Sequence, residues 1–442
     1  MTNNATYYRP IQYLGSKTRV VDTIVSECKK LYTPGEYVVD LFSGSSIVSQ
    51  SLYKNGMHVI ANDVMSFSSD IASCMLNQAK RETSEPLIEN FIKSLGVITN
   101  SKYSKSFVNL VDREQLLLSD LNLGGLKLLY DSLSQVGNNN GSNDHIEYIR
   151  NHYGVSAINN IPLFANYYAG TYFGIKQSLD IDILRNRIEQ EWQRTNDLWE
   201  YKLLLTALYN TCSVIVHSAG KHFAQPIGID DDDETKITSV RLFENRSYDV
   251  IEVFKSCAIS ILQSTSSFAS KGRSYALNED ICTSEFKNAI AERKVSVIYA
   301  DPPYTAQQYS RFYHIPEVLH SYIYPKLQIF RGKHTQGIYP DDKYKSPFCS
   351  KTKAKHAFES IFALTSEHQS HLIVSYSESK KGKTGNERMV TMNDLYQLAE
   401  KYLPNYSTNL LSFDFDYRQL NNKEKIVEEK DDKEILLIFK KQ

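Results

Sequence analysis

The chain has 442 residues, room for two or three domains, with 50 Lys and Arg set against 51 Asp and Glu. A net charge of −1 with 41% hydrophobic residues excludes a disordered or uniformly charged chain, so a nucleic-acid partner would need cations clustered locally. Six dispersed cysteines without a C-x-x-C pair argue against a zinc site or other resident metal and fit reduced thiols in the cytoplasm.

No basic-then-apolar leader opens the chain, and no apolar run reaches the roughly 18 residues that span a bilayer, so neither a signal peptide nor a membrane partner is expected. Val20, Val21, Ile24, Val25 and Leu31 then predict a helix stopped by Pro34-Gly35. Tyr37 to Leu41 reads as a strand. It enters the small-residue loop DLFSGSS (Asp40 to Ser46), and Ile47, Val48 and Leu52 mark a helix ending near Asn55-Gly56. Val59-Ile60-Ala61 is the next strand, ending at Asn62-Asp63. Strand, loop, helix, strand and acidic end make half of a doubly wound sheet.

From Met65 to Ala269 the pattern becomes helical and irregular, with GNNNGSND (137–144) and DDDDE (230–234) expected as solvated loops. Strand–helix order returns near Arg273: Asp280 follows a short strand, VSVIYA (Val295 to Ala300) is a buried one, and HLIVSYS (His371 to Ser377) another. Helices are expected from about Lys355 to His368 and from Met392 to Tyr402. Two closing strands, near Leu410 to Phe415 and Glu434 to Phe439, flank the charged hairpin NNKEKIVEEKDDK. The expected architecture is α/β: a doubly wound, Rossmann-like sheet from residues 1–64 and 271–442, interrupted by a large, mostly helical insertion over 65–270.

The loop after the first strand brings a ligand close to the backbone and presents helix N–H groups, which makes Asp40, Phe42, Ser43 and Gly44 candidate cofactor contacts. Its single Gly falls short of a dinucleotide fingerprint and argues against a nicotinamide oxidoreductase. Asp63 stands where such sheets hold ribose hydroxyls, a helix N-cap being the alternative. Asp301-Pro302-Pro303-Tyr304 ends the VSVIYA strand. Its prolines stiffen the chain and fix a carboxylate and a carbonyl beyond the sheet edge. Two fixed acceptors suit an exocyclic amine, because taking both N–H bonds returns the lone pair to nitrogen. Tyr304 could stack on the base, worth about 1–3 kcal/mol. This reading requires Asp301 not to be buried in a salt bridge, and Phe42 and Asp63 to open onto the same edge.

Four stretches, YLGSK (Tyr13 to Lys17), DLFSGSS, Asn62-Asp63 and DPPY, occur in the order used by the D12 (Dam-like, alpha-order) class of DNA adenine-N6 methyltransferases, and the chain resembles that family. It departs from the family where Ser45 replaces a frequent second Gly. The resemblance implies S-adenosyl-L-methionine as cofactor, contacted by Tyr13, Lys17, Phe42 and Asp63, with Asp63 on the ribose and Asp280 on the adenine. Asp301 and the Pro302 carbonyl would hold the target amine, and Tyr304 would stack on a flipped adenine, with no metal required. It also implies double-stranded DNA as substrate, a target-recognition domain in the insertion, and a separately encoded restriction endonuclease as partner. Transfer to RNA adenine or to protein glutamine remains open, as does a non-catalytic DNA-binding relative. Asp280, Glu285 and Lys287 imitate a nuclease pattern that is frequent by chance.

Between Lys326 and Lys355 eight cations face two acids, Asp341 and Asp342, with Tyr339 interleaved and Tyr309, Phe312 and Tyr313 just upstream. Arg311, Lys343, Lys345, Lys351 and Lys353 are therefore candidate DNA contacts. Lys221 and His222, in SAGKHFAQP, are candidates for a DNA-reading loop of the insertion.

Overall fold

The computed structural model describes residues 7–76, 85–96, 105–133, 154–158, 162–229, 237–266, 272–377, 387–416 and 433–442. The strands are β1 (Tyr37–Asp40), β2 (His58–Asn62), β3 (Ser274–Leu277), β4 (Val295–Ala300), β5 (Ile329–Phe330), β6 (Lys333–His334), β7 (His371–Ser377), β8 (Tyr406–Asp416) and β9 (Lys433–Lys441). Seven of them form one sheet in the order β3-β2-β1-β4-β7-β9-β8, and β5 and β6 form a separate hairpin. β3, β2, β1, β4 and β7 run parallel, and β9 lies antiparallel between β7 and β8. This is a Rossmann-like doubly wound sheet with an additional helical region.

Every residue of β1 and β4 is buried, as expected of parallel strands covered on both faces. Alternate residues divide between two layers. Val39, Ile60, Ile298 and Val374 meet Phe358 and Ile361 of helix Ala354–His368 on one face. Val38, Val59, Val297 and Ile373 meet Ile24 of helix Val21–Leu31 and Leu52 of helix Ile47–Lys54 on the other. Strand order reverses between β1 and β4, and the crevice at such a reversal opens beyond the carboxyl ends of the strands. Asp40, Asp63, Asp280 and Asp301 lie at or just after the ends of β1, β2, β3 and β4.

The long helices Ile175–Thr195, Leu198–Ile215 and Val250–Ser266 belong to a second core, built largely by the insertion. That core takes in Tyr313, Leu319, Tyr322, Tyr324 and Ile338. The aromatic stretch following Tyr304 thus packs on the insertion. Asp182 fastens the two: it accepts from the backbone N–H groups of Phe164 and Ala165 at 2.9 and 3.0 Å and from the Tyr322 hydroxyl at 2.5 Å.

β8 begins at Tyr406, four residues before the expected start, and pairs with β9 along most of its length. The stretches 137–144 and 230–234, and nearly all of the hairpin 421–433, lie outside the described residues. Among the described residues no helix is long and apolar enough to cross a membrane, and no group of His, Cys, Asp or Glu has metal-binding arrangement.

Asp182→Ala should lower unfolding stability by at least about 2 kcal/mol, since it strands buried donors without acceptors. Denaturant titration of the purified variant measures this.

Candidate functional site

An open cavity of about 710 Å³, mouth included, lies at the strand reversal. Among its lining residues are Tyr13, Phe42, Asp63, Asp280 and Asp301, which the sequence had singled out, and Pro303 of the DPPY tetrapeptide. Gly44 explains how Tyr13 reaches it. With φ of +50°, Gly44 lies in the left-handed region, and a Cβ there would sit 2.7 Å from the Tyr13 ring. The glycine therefore lets the N-terminal segment close over the loop.

Asp63 organises the loop from below. Its Oδ2 accepts from the Gly44 N–H at 2.8 Å and its Oδ1 from the Met65 N–H at 2.9 Å. Burial outweighs these two donors and pushes its carboxyl up to about 6. The Asn62 side chain donates to the carbonyls of Leu41 and Glu279 and accepts from the Glu279 N–H, tying together the ends of three strands. Asp280 accepts from the Tyr344 hydroxyl at 2.8 Å and from the Cys282 N–H at 2.9 Å. Phe42 meets Phe348 edge-on, with ring centroids 5.2 Å apart. Aromatic walls with carboxylates at the strand ends fit a nucleoside that carries a cation: after accepting from the protein, each carboxylate oxygen keeps a lone pair for a ligand hydroxyl or amine.

The D12 class of N6 adenine-specific DNA methyltransferases matches residues 13–205. The matched region holds the first three motifs and stops before Asp301. The chain is 23% identical over 432 residues to Modification methylase LlaI of Lactococcus lactis subsp. lactis, an alignment covering 98% of this chain and 55% of that protein. It is 24% identical over 402 residues to Type II methyltransferase M.FokI of Planomicrobium okeanokoites, covering 89% of this chain and 48% of that one. The chain thus spans about half the length of these curated relatives. The D12 family implies chemistry dependent on S-adenosyl-L-methionine.

Asp301 is not the unpaired carboxylate that the sequence reading required. Its Oδ1 lies 2.8 Å from the Lys17 ammonium, which also reaches Glu434 Oε1 at 2.8 Å and donates to the Gly15 carbonyl at 3.2 Å. Lys17 is 5% exposed and is not among the residues lining the cavity; its ammonium is paired with Asp301 and Glu434. The Asp301 side chain keeps 19% exposure and borders the cavity, and its Oδ2 has no partner among the described residues. One oxygen is held and the other can accept. Burial, opposed by Lys17, pushes this carboxyl up to about 6.

Asp40, Ser43, Gly44 and Pro302 do not line the cavity. Asp40 is buried, accepts from Ser49 Oγ at 2.6 Å, and is pushed up to about 7 by desolvation. It braces the loop that presents Phe42. Tyr304 also lies outside the lining: its ring is buried edge-on to Tyr376, with the Arg388 guanidinium 4.8 Å above it.

Of the expected DNA contacts, Arg311, Lys221, Lys345 and Lys353 are exposed. Lys351 is exposed but pairs with Glu387 at 2.5 Å, and half-buried Lys343 donates to Gln328 at 2.8 Å. His222 is 3% exposed and packs edge-on to Phe312; burial lowers its pKa, so it is a neutral packing residue in place of an exposed reader. A second cleft of about 1270 Å³ adjoins the cavity through Val64, Met65, Ser310 and Tyr344, with Lys326 and Lys343 at its edge. Sequence reasoning passed over Tyr344, Phe348 and Glu434. Tyr344 stood in the basic segment, where the cations and Tyr339 drew attention, and nothing local marks Glu434 as the partner of a residue more than four hundred positions away.

Lys17→Met should cost about 3–5 kcal/mol, because it leaves two carboxylates without their shared cation. Adding Glu434→Gln should recover part of that loss in the same denaturant titration.

Proposed function

We propose that the protein transfers a methyl group from S-adenosyl-L-methionine to N6 of an adenine extruded from double-stranded DNA. The observation that carries this reading is the meeting of Asp301, at the end of β4, with Phe42, Asp63 and Asp280 around one cavity. Asp63 would hold the ribose hydroxyls, Asp280 the adenine amine, and Tyr13 and Phe42 the apolar faces of the cofactor, which when bound supplies an electrophilic methyl on a sulfonium. Asp301 Oδ2 and the Pro302 carbonyl accept the two N–H bonds of the target amine. The Lys17 ion pair keeps Oδ1 fixed, so the carboxylate does not rotate away from this task. Positioning supplies much of the rate, as no bond to a protein group has to form.

The names of the two relatives, a modification methylase and a type II methyltransferase, support a restriction endonuclease encoded separately as the partner. Six free thiols fit work in the reducing cytoplasm. Residues 65–270 serve in this reading as the target-recognition domain, and the sheet strands outside them as the catalytic domain.

Asp301→Ala should reduce methyl transfer from labelled cofactor to duplex DNA by on the order of 10²–10³-fold or more, with duplex binding retained. Unchanged turnover, or wild-type transfer to RNA or protein in place of DNA, overturns the reading. The amine is accepted by the ionised carboxylate, so kcat/KM should be level at higher pH and fall as pH drops through about 6. Asp63 has the same displaced value, so that limb reports both groups, and Asp63→Asn isolates the share of Asp301.

A further inference from the structure

Glu434 is a carboxylate in an unfavourable place. It stands at the head of the buried run Ile435 to Phe439 in β9 and is itself 6% exposed. Its Oε1 lies 2.8 Å from Lys17 Nζ and accepts from Ser375 Oγ of β7 at 3.1 Å. The same ammonium lies 2.8 Å from Asp301 Oδ1. Among the described residues, Asp301 and Glu434 are the two carboxylates within ion-pair distance of Lys17.

Stability does not account for the second carboxylate. Lys17 with Asp301 alone would be a neutral pair, whereas Glu434 adds an unbalanced negative charge in a buried setting, which costs free energy. A Gln or Ser would offer Lys17 an acceptor without that charge. What the charge does change is Asp301. Lys17 lowers the proton affinity of the Asp301 carboxyl and Glu434 raises it. The remaining neighbours act less directly. Asp40, at the end of β1, and Tyr299, in register with it on β4, also face Asp301. Tyr304 faces Lys17, and Arg388, above the Tyr304 ring, donates to the carbonyl of Ser377, which lies opposite Glu434 in the β7–β9 ladder.

We propose that Glu434 is a positioning residue acting through Lys17: by claiming part of the ammonium's charge, it keeps Asp301 Oδ2 a strong acceptor for the target amine. The inference rests on the adenine-methyltransferase reading above. An ammonium committed wholly to Asp301 would draw electron density from the carboxylate and weaken Oδ2 as an acceptor. A shared ammonium still fixes Oδ1 but draws less. The amine is a poor nucleophile until its N–H bonds are accepted, so the strength of Oδ2 bears on the rate and not only on binding.

The test is Glu434→Gln, which keeps the shape and the hydrogen bonding and removes the charge. With no unbalanced charge left, the variant should fold like wild type, which circular dichroism checks. Single-turnover methylation of duplex DNA is followed against pH for Asp63→Asn with and without Glu434→Gln, so that Asp301 sets the acid limb. Adding Glu434→Gln should move that limb to lower pH, by on the order of one pH unit, and lower the plateau rate, by at most about tenfold for each such unit. The Kd values for S-adenosyl-L-methionine and for duplex DNA should be unchanged. A lower rate with the limb in place, or a lower limb with an unchanged plateau, overturns the proposal. Carboxyl-carbon NMR of protein with isotope-labelled aspartate reads the same change without turnover. The Asp301 signal, identified by its absence in Asp301→Asn, should titrate at lower pH in Glu434→Gln. An unmoved signal in an active enzyme overturns the role of Glu434 and leaves the methyltransferase assignment standing. If the signal moves but wild type methylates no duplex, the reading of the site itself fails and the role of Glu434 falls with it.

Discussion

The site depends on one buried ammonium. Lys17, from the N-terminal segment, reaches Asp301 beyond β4 and Glu434 in β9, so a single charge joins the start, middle and end of the chain. Two carboxylates around one cation leave a net negative charge in a poorly hydrated place, an arrangement that burial makes expensive. The expense has a consequence. An Asp301 free of Lys17 would protonate more readily or swing into solvent, and a protonated acid is a weaker acceptor for an amine. The ion pair keeps the group ionised and pointed, and only Oδ1 is used to do so.

The same economy recurs around the cavity. Asp63 uses both oxygens to accept from backbone N–H groups, Asp280 accepts from Tyr344 and Cys282, and the Asn62 amide donates to the Leu41 and Glu279 carbonyls while its oxygen accepts from the Glu279 N–H. Each is a short side chain at a strand end whose second lone pairs remain for a ligand. The site is thus assembled before any ligand arrives, and ligand binding has little ordering entropy left to overcome.

Strand ends and small-residue loops were legible in the sequence because their signals are local: an apolar run, then a carboxylate or a glycine. That is why β1, β2 and β4 and the positions of Asp63 and Asp301 could be read directly. The role of Gly44 was read only in part. Its backbone permissiveness is a local property, but the Tyr13 ring packed against it comes from another segment. The ion pairs of Lys17 were out of reach for a related reason. The family resemblance implied a cofactor contact, and only the fold brings Glu434 and Asp301 close enough to pair with its charge. His222 shows the converse: small neighbours made it look available, and packing against Phe312 buried it.

The segment after Tyr304 bears most on how the protein works as a unit. It leaves β4 at Asp301-Pro302-Pro303-Tyr304 and sends Tyr309 and Tyr313 to hydrogen-bond with Leu14 and Gln12 beside Tyr13. It then buries Tyr322 and Tyr324 in the core shared with the insertion, and returns through Tyr344 and Phe348 to line the cavity. Side chains that close the cofactor-type cavity and side chains that anchor the helical region therefore lie on one continuous stretch of about forty-five residues. A displacement at either end has to be accommodated by the other, because close-packed cores shift as units instead of deforming smoothly. A long insertion joined to the sheet only by two covalent crossings could drift against it. This stretch adds a packed seam between them and ties the end of β4, where Asp301 stands, to the core of the helical region.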